Sequence, residues 1–178
     1  MKLLLDTHIW LWSLLEPERL SEKVAGVLST DSTERWLSPL SIWEAMLLIE
    51  RKRLDVDRPG ESWVREALER APVLEAPLNG EVVLASRRLK ARHRDPVDRF
   101  LVATAQVFDL TLVTADATLL TLKDVDLLPN RSKGAGRSKS GTPQDLPPAP
   151  QTRARVRPAS SRSRSSPIGS SRSRGTSA

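Results

Sequence analysis

Apolar residues fall along the first 130 positions in two kinds of run, and the difference predicts the elements. "KLLLD" and "LTLVTAD" are short, continuous and end in an acid, as buried strands do. The segment from Thr7, "THIWLWSLL", continues as a helix. In "SEKVAGVLST", Ser21 stands as an N-cap and Val24, Val27 and Leu28 share one face of a second short helix. "ERWLS" reads as a strand. "PLSIWEAMLLIERKR" has Pro39 near its start and apolar residues at 42, 43, 46, 47 and 49, a stripe wide enough for a mostly buried helix, with Glu44 its polar exception. "ESWVREALER" and "NGEVVLASRRLKAR" are amphipathic helices. The prolines of "APVLEAPL" leave room between them for only a short strand. Asp95 precedes Pro96 as an N-cap precedes a first-turn proline, and Val97, Leu101, Ala105 and Phe108 recur on one face of the helix that follows. A short helix around "ATLLTL" and a weak strand at "VDLL" complete the series.

Strands that alternate with helices, without an internal repeat, predict an α/β domain built on a mainly parallel sheet. Its expected extent is residues 1–128, with Pro129-Asn130 at the boundary and 129–178 as a tail. Charge divides at the same place. Residues 1–130 carry 17 Lys+Arg against 21 Asp+Glu, net −4, and residues 131–178 carry 11 against 1, net +10, so the basic character of the chain belongs to its tail. That tail is rich in Ser, Arg, Pro and Gly and nearly free of large apolar residues; it is expected to be disordered, because it buries too little to offset the entropy of ordering. It reads either as an idle solvated extension or as an electrostatic arm for RNA or another polyanion.

No run of about 18 apolar residues is present, so no membrane span is expected. "LLLDTHIWLWSLL" is broken by Asp6 and His8 and lacks a small-residue cleavage site, which argues against a signal peptide and for a cytoplasmic protein. With no cysteine and only two histidines, any metal would be held by oxygen, as Mg²⁺ or Mn²⁺ are.

Four acids fall where such a fold puts ligands. In an open parallel sheet the ligand crevice lies beyond the carboxyl ends of the strands, where Asp6 and Asp116 belong; Asp98 and Glu44, in the first turns of their helices, border the same edge. Singly, each has an ordinary use: a cap, a dipole partner or a turn. Asp95 is read that way, as an N-cap. Together the four are costly, since two unit charges about 5 Å apart repel by roughly 3 kcal/mol at an effective dielectric of about 20. A hard divalent cation would relieve that repulsion and bridge to a substrate phosphate.

"LLLDTHIWLW", "SPLSIWEAMLL", "HRDPVDRFLVATA" and "LVTAD", in that order over about residues 2 to 128, closely resemble the PIN-domain ribonucleases, specifically the VapC-type toxins of bacterial toxin–antitoxin pairs. The resemblance implies a PIN-like three-layer α/β/α domain and an acidic site at Asp6, Glu44, Asp98 and Asp116, with Thr114 supporting the last acid. Departures are small: Val97 stands where Phe is frequent, Leu47 and Leu48 occupy a stretch that often carries a lysine, and Ala103-Thr104-Ala105 replaces an Ala-Gln-Ala. The tail lies outside the pattern.

The implied activity is Mg²⁺-dependent hydrolysis of RNA phosphodiesters, with Mn²⁺ as a substitute ion. Asp6, Asp98 and Asp116 would hold one or two ions, and Glu44 would complete the ligand set or orient the water. Arg99 is expected to contact phosphate or to pair with a neighbouring acid. His8 is expected to pack or to touch substrate, and His93 to sit at a helix end; neither is read as the catalytic base. Implied partners are an RNA substrate, an antitoxin whose segment fills the toxin groove, and a second copy through apolar helices. Of Trp10, Trp12, Trp43 and Trp63, most are expected in the core. A phosphoaspartate enzyme would want an acid where His8 stands, and no phosphate-binding loop is present. The stronger rival is a non-catalytic RNA-binding module of the same fold, which would gain nothing from acids where phosphates dock.

Overall fold

The computed structural model describes residues 1–89 and 95–131. Five strands form one sheet: β1 (Lys2–Leu5), β2 (Glu34–Leu37), β3 (Leu74–Glu75), β4 (Thr111–Thr114) and β5 (Leu127–Pro129). Their order is β3-β2-β1-β4-β5 and every pairing is parallel, so the expected mainly parallel sheet is wholly parallel. Six helices accompany it: α1 (Thr7–Leu15), α2 (Glu22–Leu28), α3 (Pro39–Glu50), α4 (Gly60–Arg70), α5 (Gly80–Arg88) and α6 (Pro96–Val107).

The continuous apolar runs are explained by burial on both faces. Successive side chains of a strand point to opposite sides, and Leu3 and Leu5 enter one core while Leu4 enters another. Val113 and Leu128 follow the first pair; Leu112 and Leu127 follow Leu4. The first core is filled by α1 to α4 through Ile9, Trp10, Leu11, Val24, Leu28, Ala45, Val64 and Ala67, and the second by α6 through Leu101, Val102 and Ala105. The molecule is therefore a three-layer α/β/α sandwich, as the resemblance implied.

The local signals at helix starts act as read. Ser21 Oγ accepts from the Val24 N–H at 3.3 Å, and Asp95 Oδ1 accepts from the Val97 N–H at 2.8 Å with Pro96 opening α6. "ATLLTL" yields only a 3₁₀ turn, Leu119–Thr121. α5 ends at Arg88; the expected continuation of that helix through residue 92, the placement of His93 and the expected disorder of the tail lie outside the described residues.

One expectation needs correcting. α3 is not mostly buried: only Ser41 and Ala45 are fully enclosed, Ile42, Met46, Leu48 and Ile49 are half-buried, and Trp43 is 54 % exposed. The helix packs on α1 and α4 rather than between two layers, so its wide stripe exceeds what those neighbours cover. Trp10 does occupy the core, edge-on to the half-buried Trp63 with ring centroids 6.4 Å apart.

Asn130 closes the fold more firmly than a linker would. Its N–H donates to the Thr114 carbonyl at 2.8 Å, its Oδ1 accepts from the Ser21 N–H at 2.6 Å, and its Nδ2 donates to the Arg19 carbonyl at 3.0 Å. The chain thus leaves β5 at the carboxyl edge of the sheet, beside the end of β4.

Candidate active site

The strand order sets the place. From β1 the chain builds outward to β2 and β3 on one side, and β4 and β5 lie on the other, so the β1/β4 boundary is where the direction of winding reverses and a crevice opens beyond the strand ends. Asp6 follows β1 there, and Thr114-Ala115-Asp116 leave β4 beside it.

Asp6 sits in the N-cap position of α1, yet its side chain makes no capping bond. Asp6 as a whole is 8 % exposed, and its carboxylate accepts from Thr114 Oγ1 at 2.6 Å. Burial lifts this carboxyl above its ordinary range. Charge on His8, the Thr114 bond and the His8 N–H pull it back in part, and Asp116 pushes it up. The His8 N–H faces the carboxylate without the geometry of a true cap.

The Thr114 hydroxyl reaches two acids: it donates to the first, Asp6, and accepts from the N–H of the last, Asp116, at 3.0 Å. Asp116 Oδ1 accepts from the N–H groups of Thr118 at 2.5 Å and Leu119 at 3.1 Å, which fixes the turn after β4. Its other oxygen makes no hydrogen bond among the described residues.

Asp98 rides in the first turn of α6, with Asp95 below it as the cap. Burial, followed by the charges of Asp95, Asp116, Asp6 and Glu44, pushes its carboxyl up to about 7. Glu44, from the second turn of α3, is raised by burial and by Asp6 and Asp95, against the pull of Thr7 and His8. Asp98 therefore feels the charges of Asp6, Glu44 and Asp116 across one crevice. Asp95 is a cap and also a fifth contributor to the local field.

The buried hydroxyls of Thr7 and Ser41 escaped the reading of the sequence, and the nearness of His8 to the acids adds to its expected packing. His8 stands near enough to Asp6 and Glu44 to lower both carboxyls, although its ring leans on Trp12 with centroids 5.9 Å apart. Thr7 Oγ1 and Ser41 Oγ are buried without a hydrogen bond, and Thr7 lies near enough to Glu44 to lower its carboxyl. The adjacency of Thr7 and His8 to Asp6 was the available signal. Arg99 Nη2 donates to the carbonyls of Ser86 at 2.7 Å and Leu89 at 3.1 Å, and of its two expected roles the ion pair with an acid is absent among the described residues. Arg99 fastens the end of α5 to the start of α6.

The donor set suits a hard divalent ion. Every acid offers carboxylate oxygen, the repulsion that lifts Asp98 is what a cation removes, and the Thr7 hydroxyl lacks a partner at the same place. Among the described residues, no group of three or more acids and histidines stands close enough together to hold a metal ion.

Fold and site thus define an open α/β protein with an acidic oxygen-donor crevice at its switch point. A model of the PIN domain family matches residues 3–125, and the chain belongs to that family. It is 30 % identical over 117 residues to Ribonuclease VapC22 of Mycobacterium tuberculosis, covering 65 % of this chain and 88 % of that protein. Similar solved structures include VapBC2 from Rickettsia felis bound to a promoter DNA fragment (13 % identity, TM-score 0.57, 72 % of this chain and 98 % of that one). Another is a toxin–antitoxin complex from Klebsiella pneumoniae (17 % identity, TM-score 0.54, 72 % and 98 %). At those identities the solved structures bear on the fold alone.

Proposed function

We propose that the protein is a divalent-metal-dependent endoribonuclease of the VapC type, the toxic member of a toxin–antitoxin pair. The observation that carries this is Asp98 at the switch point, raised by its burial and by the charges of Asp6, Glu44 and Asp116 beside it, with Thr114 joining the first acid to the last. Asp6 and Asp98 would be direct ligands, and Asp116 and Glu44 would ligate directly or through water. When bound, the ion, Mg²⁺ with Mn²⁺ as a substitute, acidifies a water and offsets charge growing on the scissile phosphate.

The chain's own residues do the rest. Thr114 holds the Asp6 carboxylate in one orientation, and the Asp95 cap and the Arg99 fastening hold the α6 turn that presents Asp98. His8 lies beside Asp6 and Glu44, where a phosphate would approach, and its ring can offer a hydrogen bond there. A pure RNA-binding module has no use for this arrangement, because the acids repel phosphates unless a cation stands between them.

A small pocket lined by His8, Leu11, Trp12, Leu15, Glu16, Leu48, Arg53 and Leu54 shares His8 with the acids, and an antitoxin segment lying across it would place one side chain there. The exposed apolar residues Trp43 on α3 and Val83 and Leu84 on α5 suit a second copy of the chain. Among the described residues no helix is long and apolar enough to cross a membrane. The deciding experiment is Asp6→Asn and Asp98→Asn, each assayed for Mg²⁺-dependent RNA cleavage and for growth arrest on expression. Unchanged activity in both variants would remove the nuclease reading.

A further inference from the structure

The hydrogen bonds of Asn130 fix the start of the basic tail at the carboxyl edge of the sheet, one residue beyond the β4–β5 pairing of Thr114 with Pro129. Thr114 is the residue whose hydroxyl holds Asp6. The tail therefore begins beside the acidic crevice and not at the far end of the molecule. Its first four cations, Arg131, Lys133, Arg137 and Lys139, lie within nine residues of Asn130. Even a fully extended chain puts them no farther than about 30 Å from it, whatever conformation the segment takes.

The domain itself is poorly equipped to attract a polyanion. Residues 1–130 carry net −4, and the acids concentrate at the place a phosphate must reach. Arg19, Arg58, Arg65, Arg70 and Arg88 are paired with acids of the domain, and Arg99 is held by carbonyls. The net +10 of residues 131–178 is the complement of that deficit.

We infer that residues 131–178 are an RNA-capture arm acting in cis: clustered Lys and Arg bind the phosphate backbone, and the anchor at Asn130 delivers the bound strand to the acidic crevice. The choice of RNA rests on the ribonuclease reading, whereas the charge and the point of attachment do not. Tethering raises the local concentration of captured strand at the site without any new contact inside it, and binding through released counterions is strongly salt-dependent.

The test uses the full chain with Asp98→Asn, in EDTA, so that no RNA is cut. Anisotropy of a fluorescein-labelled, mixed-sequence single-stranded RNA is followed over a range of KCl, with and without replacement of the eleven tail Lys and Arg by Gln. The arm predicts that the slope of log K against log salt shrinks by at least about 3, out of a ceiling of about 8 for eleven contacts to a single strand. Steady-state cleavage by the chain with an intact site should show KM rising at least about tenfold on neutralisation, with kcat unchanged. An unchanged slope overturns the arm. Tighter binding after neutralisation also overturns it, because the tail would then be masking the crevice. Rescue of KM by a free peptide of residues 131–178 removes the tether from the proposal. Tail-dependent binding in a chain that never cleaves RNA would instead defeat the nuclease reading and leave the arm standing.

Discussion

Two helix starts in this protein carry an aspartate in the same formal position and use it in opposite ways. At α6, Asp95 is exposed and its carboxylate accepts from the Val97 N–H, the ordinary work of an N-cap. At α1, Asp6 occupies the cap position, makes no capping bond, and turns a nearly buried carboxylate toward Thr114. The difference lies in what surrounds each end. α6 begins at the surface with a proline in its first turn, whereas α1 begins directly off the central strand, where Asp6 is packed against β4 and its N–H is held by Val113. A polar group at a helix start is released for chemistry when the sheet supplies it with a different partner.

The sharpest way to break that contrast is to neutralise one acid from each class. Asp6→Asn and Asp98→Asn should each lower Mg²⁺-dependent RNA cleavage by more than about 100-fold, since altering even a residue that orients a ligand costs 10–100-fold. Asp95→Asn, which keeps an N-cap acceptor, should leave cleavage within a few-fold. Comparable losses in all three would erase the distinction. Thr114→Val should rank next, lowering cleavage by about 10–100-fold and stability by about 1–3 kcal/mol, because it removes the donor to a buried carboxylate and the acceptor for the Asp116 N–H. Chemical denaturation and initial rates measure both.

The pH dependence of stability sharpens the same comparison. An unfolded Asp98 titrates near its ordinary 3.8 and the folded one at about 7. Between those values the folded state holds a proton that the unfolded state has lost, so metal-free stability is greatest at low pH on this account and falls as pH rises toward 7. The full shift corresponds to about 4 kcal/mol, and partial exposure and screening reduce the expected change to roughly 1–2 kcal/mol. Urea unfolding in EDTA at pH 5 and pH 8 should show that decline, and Asp98→Asn should reduce it, leaving the part due to Asp6 and Glu44, whose carboxyls are raised in the same direction. An undiminished decline in the Asn variant would assign all of it to other groups.

The smallest effect belongs to the cap. Asp95→Ala should cost about 1 kcal/mol. It should also let Asp98 ionise at lower pH, since Asp95 is its largest charged neighbour by contribution. Thermal unfolding reads the first effect and an NMR titration of the Asp98 carboxyl the second.

Much of this site was legible because its signals are local. "KLLLD" and "LTLVTAD" place Asp6 and Asp116 at strand ends by pattern alone, and Asp95-Pro96 marks a helix start whose first turn must present Asp98. The bonds from Thr114 to Asp6 and from Arg99 to two carbonyls were not legible, for a shared reason. Hydroxyls and guanidinium groups take whichever partner the fold brings within reach, and theirs came from positions 108 and 13 residues away. α3 was judged too buried because periodicity reports how wide an apolar stripe is, not how much neighbouring surface exists to cover it. Asn130 carried no local sign at all, since its partners Arg19 and Ser21 lie more than 100 positions earlier.

The linear order of residues determined the strands, the helix starts, the acids at their ends and the division of charge between domain and tail, because each depends on neighbours a few positions apart. Only the folded chain decided which hydroxyl holds Asp6, that five carboxylates share one field, and that the basic tail begins beside them. Those facts depend on strand order, and β1 and β4, more than 100 residues apart, become neighbours only when the sheet closes.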